Sequence, residues 1–218
     1  MSKQIRVLIV DDHTLFRESL GRLLEADTEC KVVGACASVD EALKILGKEQ
    51  VDLVLLDYDL GETPGTQYLD ESRRRGFAGP VLMVTGGMAD AAMLRALDKG
   101  VSGIFLKSSP LVELLQAIRR VMSGETWLDP GLVKSLISDT RRRGGEVKQE
   151  PLSARERSVL HGVFEGLSNK EIGQRLSISE GSVKAALQQL FARTGVRTRS
   201  QLVRIAVERH SQDWLREE

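Results

Sequence analysis

Val51-Asp52-Leu53-Val54-Leu55-Leu56-Asp57 is a short, mostly apolar run closed by a carboxylate. A run of this length, rich in Leu and Val and without polar alternation, reads as a strand buried on both faces. Four more runs of the same kind are Ile5 to Val10, Lys31 to Cys36, Pro80 to Val84 and Gly103 to Leu106. The segments between them have helical spacing. Ser38-x-x-Glu41 is a capping box that predicts a helix running to about Glu49. Leu111, Leu114, Leu115, Ile118, Val121 and Met122 fall on one helical stripe. Strict alternation of strand and helix predicts a parallel sheet covered by helices over residues 1–124.

The chain of 218 residues exceeds the roughly 100 to 150 residues usual for one domain, so a second unit is expected. Its composition, 41% apolar and 28% charged, is that of a folded globular protein. The net charge of zero hides an asymmetry. Residues 1–125 carry 15 Lys/Arg against 19 Asp/Glu, and the remainder carries 16 against 12. After Gly124 comes a linker region, 125–150, with a short amphipathic helix over 130–140 and the polar run Arg141 to Pro151. From 151 to 218 the pattern is helical. Ser153-x-x-Glu156, Ser168-x-x-Glu171 and Thr198-x-x-Gln201 are capping boxes, and Ser179 is an N-cap before Glu180. The second domain is therefore expected to be an all-α four-helix unit.

No apolar stretch approaches the ~20 residues of a membrane-spanning helix, and the first residues lack a signal-peptide pattern, so a cytoplasmic location is expected. Cys30 and Cys36 flank one predicted strand and stand roughly 20 Å apart along it, too far for a disulfide. The histidines, His13, His161 and His210, are scattered and suggest no Cys/His metal site.

In an open parallel sheet the ligand site lies beyond the carboxyl ends of the strands. Asp11 and Asp12 follow the first strand here, Asp57 the third, Thr85 the fourth and Lys107 the fifth. Three converging carboxylates repel one another unless a cation compensates, and Mg²⁺ suits an all-oxygen site that keeps several waters. A carboxylate oxygen left free is a nucleophile for phosphorus, and the Lys and hydroxyl hold the other phosphoryl oxygens.

This constellation, over residues 3–124, resembles the receiver domain of two-component response regulators. The resemblance implies a flavodoxin-like (βα)5 fold with strand order 2-1-3-4-5. It implies that Asp57 accepts a phosphoryl group from a sensor histidine kinase. It also implies that Mg²⁺ is held by Asp12, Asp57 and the carbonyl of Asp59, with Asp11 acting mainly through water. Thr85 and Phe105 form the switch, and Lys107 pairs with the phosphate. The chain departs from the family in its loop, where Gly61 occupies the usual proline position and Pro comes at 64, and in having Ser108 after Lys107. Gly87, two residues beyond Thr85, is expected to leave the site open to water.

The third helix of the second domain, Ser179 to about Thr194, carries Lys184, Gln188, Gln189 and Arg193 opposite its apolar stripe, with Ala185 and Ala186 between. Lys, Gln and Ala suit guanine edges, adenine edges and thymine methyls in the major groove. Leu152 to Glu156, Glu165 to Gly173, Leu176 to Lys184 and Gly195 to Arg199 together resemble the LuxR/NarL-type helix-turn-helix. That resemblance implies base contacts from Lys184, Ala185 and Gln188, phosphate contacts from Lys170, Arg197 and Arg199, and dimer pairing through the fourth helix. Ala186 stands where the family usually has His. The expected protein is a DNA-binding transcription regulator of the NarL/FixJ type, not an enzyme, acting as a homodimer, with RNA polymerase a further candidate partner. Two rivals are a receiver-like domain that signals by protein contact alone and a phosphatase of the same fold. The second lacks a nucleophile and acid pair outside the receiver set. Opposite charges on the two halves also suggest that the Lys184 face is covered until phosphorylation releases it.

Overall fold

The apolar runs become strands and the amphipathic segments become helices. The computed structural model describes residues 4–61, 63–129, 132 and 152–210. Apart from residue 132, the expected short helix over 130–140 and the Arg141 to Pro151 linker lie outside them. In chain order the elements are β1 (Ile5–Val10), α1 (Thr14–Ala26), β2 (Cys30–Cys36), α2 (Val39–Leu46), β3 (Leu53–Leu56), β4 (Asp59–Leu60) and β5 (Thr63–Pro64). Then follow α3 (Thr66–Arg74), β6 (Val81–Thr85), α4 (Asp90–Asp98), β7 (Gly103–Leu106), α5 (Leu111–Met122) and β8 (Trp127–Leu128). The last helices are α6 (Ala154–Phe164), α7 (Asn169–Arg175), α8 (Glu180–Thr194) and α9 (Arg199–His210).

Packing divides the chain into two units, Met1–Met88 with Val101–Gly124, and Ala89–Gly100 with Glu125–Glu218. In the first, β2, β1, β3, β6 and β7 run parallel, as the strand pattern predicts, and in the order that the resemblance to receiver domains implies. Leu53 to Leu56 and Val7 to Val10 are all buried in the sheet. Each such side chain contributes about 1.5–3 kcal/mol relative to exposure. The Ser38 hydroxyl accepts from the Glu41 N–H at 3.3 Å and starts α2. Glu41 reaches back one residue further than in a capping box, to the Ala37 N–H at 3.2 Å. The helix stops at Leu46, before Glu49, because Gly47 follows. Between β3 and α3 the structure adds a feature not expected from sequence. β4 and β5 form a two-residue antiparallel hairpin, pairing Asp59 with Pro64 and Leu60 with Thr63.

In the second unit Ser153 with Glu156 and Ser168 with Glu171 form complete capping boxes that open α6 and α7. Ser179 caps α8 through the Ser182 N–H. Gly173 permits the tight turn between α7 and α8, since a Cβ there would lie 2.8 Å from the Ile178 carbonyl oxygen. Leu160, Val163, Ile172, Val183, Leu187, Leu190, Leu202 and Val203 close the core. Segment Ala89–Gly100, expected in the first domain, groups with this unit. Arg204 meets the Asp98 carboxylate at 2.8 Å, and the Gln201 amide donates to the Asp98 carbonyl at 3.0 Å.

Candidate phosphoacceptor site and nucleic-acid interface

The sheet ladder runs up to the site residues and fixes them. The Asp11 N–H donates to the Cys36 carbonyl at 3.0 Å, the Asp57 N–H to Val10 at 2.8 Å and the Lys107 N–H to Thr85 at 2.8 Å. Each side chain therefore leaves a rigid strand end, and four of the sequence-predicted residues gather at one sheet edge. Lys107 Nζ lies 2.6 Å from Asp57 Oδ2 and 2.7 Å from Asp11 Oδ2. It also sits over the Phe16 ring, 4.7 Å from the centroid. Asp57 is 3% exposed and Asp11 2%.

Burial raises the Asp57 pKa, the hydrogen bond from Lys107 opposes that, and the neighbouring Asp11 charge adds to the rise. Burial works against the Lys107 charge, but hydrogen bonds to Asp11 and Asp57 outweigh it and hold the ammonium pKa above its ordinary value. The result is a pair of buried carboxylates, Asp57 and Asp11, that share one ammonium.

Thr85 and Phe105 are both buried. The Thr85 hydroxyl donates to the Gly87 carbonyl at 3.0 Å and accepts the Gly87 N–H at 3.3 Å. A Cβ at Gly87 would meet nothing within 4 Å, so that side of the site is open. Sequence reasoning did not single out Gly65, yet a Cβ there would stand 2.0 Å from the Asp57 carbonyl oxygen. The Gly65 N–H also donates to the Tyr58 carbonyl at 2.7 Å. Only glycine lets α3 start so close beneath the acceptor. The signal was present, a glycine shortly after Asp57, but its meaning depends on the tertiary approach.

Asp11, Asp12, His13 and Asp57 form the cluster of metal-ligating side chains among the described residues, with ligand atoms all within 4.8 Å of one another. Asp12 Oδ1 is buried and has only His13 Nδ1 as a near polar partner among the described residues. Three carboxylates this close together form an all-oxygen donor set that fits a hard divalent cation. The Asp59 side chain stands outside this set. It is exposed, and the Asp59 N–H donates to Asp57 Oδ1 at 3.3 Å. His13, set aside in the sequence as a scattered histidine, places Nδ1 2.7 Å from Asp12 Oδ1, 3.4 Å from Asp11 and 3.8 Å from Asp57.

On α8, Lys184, Ala185 and Gln188 are exposed together, while Val183, Ala186, Leu187 and Leu190 are buried. Lys184 pairs with Glu180 one turn back at 2.7 Å. Ala186, 5% exposed, is a core position, so the small residue there serves packing. Lys170 and Arg197 are exposed. Arg199 corrects the expectation of a phosphate contact. It is 5% exposed, and its guanidinium donates to Asn169 Oδ1 at 3.1 Å and to the Leu167 carbonyl. Its charge is spent tying α9 to the start of α7.

A doubly wound parallel sheet with an acidic pocket, in one chain with a four-helix unit that presents an exposed basic helix face, defines a two-component DNA-binding regulator. The chain belongs to the NarL/FixJ family of response regulators. Residues 7–119 match the response regulator receiver domain, and residues 150–206 match the bacterial regulatory proteins of the luxR family. The chain is 34% identical over 207 residues to the DNA-binding transcriptional activator DevR/DosR of Mycobacterium tuberculosis, covering 94% of each chain. It is 32% identical over 197 residues to the nitrate/nitrite response regulator protein NarP of Escherichia coli, covering 89% of this chain and 90% of that one. Among solved structures it resembles the response regulator ChrA of a heme-sensing two-component system, with 27% identity and a TM-score of 0.51 over 94% of this chain and 97% of that one. No helix among the described residues is long and apolar enough to cross a membrane.

Proposed function

We propose that Asp57 is the phosphoacceptor and that its phosphorylation controls DNA binding by the second unit. One observation carries this reading: a carboxylate only 3% exposed is held 2.6 Å from Lys107 at the end of β3, with Asp11 beside it. An Asp57 oxygen attacks phosphorus, the new O–P bond forms as the bond to the kinase histidine breaks, and Lys107 turns from Asp57 to the phosphoryl oxygens. Thr85 gives up its bond to Gly87 to donate to the same group, and Phe105 keeps the space behind it filled. Asp12 and Asp57, the Asp59 carbonyl, and Asp11 through water would hold Mg²⁺, which neutralises phosphoryl charge when bound.

In the second unit Lys184, Ala185 and Gln188 read base edges, and Lys170 and Arg197 contact phosphates. The partners are a sensor histidine kinase, DNA, a second copy of the chain paired through α9, and RNA polymerase at the promoter. The protein works in the cytoplasm, where its DNA lies. The test is incubation with a small acyl phosphate and Mg²⁺, followed by intact-mass measurement. A phosphoryl adduct on the wild type and none on Asp57→Asn supports the acceptor. An equal adduct on the variant assigns another residue, and no adduct on either favours signalling by protein contact alone.

A further inference from the structure

We infer that Phe16 is a positioning residue for phosphoryl transfer: the face of its ring holds the Lys107 ammonium in the site while that group exchanges the Asp57 carboxylate for the phosphoryl oxygens. The inference rests on the reading of Asp57 as the acceptor and adds a residue to it. Lys107 Nζ sits over the Phe16 ring, 4.7 Å from the centroid, inside the roughly 6 Å over which a cation is attracted to the negative face of an aromatic ring. The Lys107 side chain is only 15% exposed and Phe16 is half-buried, so water screens this attraction less than on an open surface. Asp57 and Asp11 stand 2.6 and 2.7 Å from the same nitrogen, which accounts for two of its three N–H donors.

The ring has a fixed place. Phe16 lies in the first turn of α1, where the Arg17 N–H donates to the His13 carbonyl at 3.0 Å. The His13 N–H in turn donates to Asp11 Oδ1 at 2.9 Å, and the Arg17 guanidinium donates to the Asp11 carbonyl, so the turn that carries the ring is tied to the carboxylate beside it. Lysine, by contrast, hangs on a flexible four-carbon stem. In transfer from an acyl phosphate, an Asp57 oxygen bonds to phosphorus as the bond from phosphorus to the acyl oxygen breaks, and the electron pair leaves with the acyl carboxylate. Asp57 then no longer offers Lys107 a full negative charge. The pull of the ring does not depend on that charge, so it keeps the ammonium beside the oxygens where negative charge gathers and leaves little reorganisation for the transition state. An aliphatic side chain of similar size fills the same space and exerts no such pull.

The full-length protein is prepared as wild type, as Phe16→Leu and Phe16→Tyr, and with phenylalanine bearing one, two or three ring fluorines in place of Phe16 alone. Fluorine withdraws charge from the ring face step by step and changes its shape little. The rate of labelling by a small acyl phosphate with Mg²⁺ is read by intact mass, beside a melting curve for each protein. The rate is expected to fall with each added fluorine, by about five- to tenfold at three fluorines and in Phe16→Leu, while Phe16→Tyr recovers most of it and the fluorinated proteins melt as the wild type does. A rate that the fluorines leave unchanged overturns the inference even where Phe16→Leu is slow, since the ring then serves packing alone. Asp57→Asn in the same assay separates the two readings. Labelling of the wild type that Asp57→Asn abolishes, with a flat fluorine series, removes only the role of Phe16. No adduct on the wild type, or an equal adduct on Asp57→Asn, removes the acceptor assignment and the inference with it.

Discussion

The proposed acceptor site and the proposed base-reading face are built in opposite ways. The acceptor site draws Asp11, Asp57, Thr85 and Lys107 from four strand ends and buries most of their polar atoms. The reading face takes Lys184, Ala185 and Gln188 from one stretch of α8 and leaves them exposed. Charges in the first are fixed by mutual pairing within a rigid sheet. In the second, Lys184 makes an exposed pair with Glu180. Substitutions in the first region should therefore disturb fold and chemistry together, whereas those on the second should change binding and leave the fold alone.

The largest effect is expected at Gly65. Gly65→Ala forces a Cβ against the Asp57 carbonyl, which the backbone must move to relieve, so a loss of about 3 kcal/mol or more is expected in urea unfolding, together with loss of acyl-phosphate labelling. Wild-type stability in this variant would show that the loop beneath the acceptor yields freely.

Arg199 follows. Arg199→Ala removes a buried guanidinium and leaves the Leu167 carbonyl and Asn169 without it, for an expected cost of about 2–4 kcal/mol in thermal or urea unfolding. A phosphate contact would behave differently, losing DNA affinity and salt dependence at unchanged stability.

On the exposed face, Lys184→Ala should lower affinity for the preferred duplex roughly tenfold and relax sequence preference at one position, with an unchanged melting curve. A uniform loss across all sequences would make Lys184 a phosphate contact instead.

The smallest effect is a stability change at the acceptor itself. Burial raises the folded pKa of Asp57 above its ordinary value, so the folded state binds more protons than the unfolded state between the two values. Stability then falls as pH rises through that window. Without added metal, Asp57→Asn should match the wild type in acid and exceed it by on the order of 1 kcal/mol at neutral pH. A variant less stable than the wild type at neutral pH would contradict the buried-charge account.

The same contrast explains what the sequence revealed. Asp11, Asp57, Thr85 and Lys107 were legible because each closes an apolar run, and strand ends in a parallel sheet share one edge. Lys184 and Gln188 were legible because helical spacing sets them on one face. Arg199 was misread because a basic residue after a capping Thr gives no hint that its guanidinium folds inward onto α7. Ala186 stood out in the sequence only as a departure from the family's His, and in the structure it is core, since two adjacent alanines look alike until the helix has a neighbour. Gly65 depends on the close approach of α3 to the Asp57 carbonyl, which no local pattern encodes. The hairpin of β4 and β5 was hidden because two-residue strands carry too little pattern to show alternation.

The account turns on whether the phosphoryl group on Asp57 governs DNA binding. The most direct measurement takes the tightest-binding duplex selected from a random pool and titrates it with the full-length protein before and after acyl-phosphate treatment, at one fixed salt concentration, with Asp57→Asn treated in parallel. The account predicts an affinity change of about tenfold or more in the wild type and none in the variant, in keeping with the usual range of coupling between sites. Equal affinities for the treated and untreated wild type, with the phosphoryl adduct present, would contradict it.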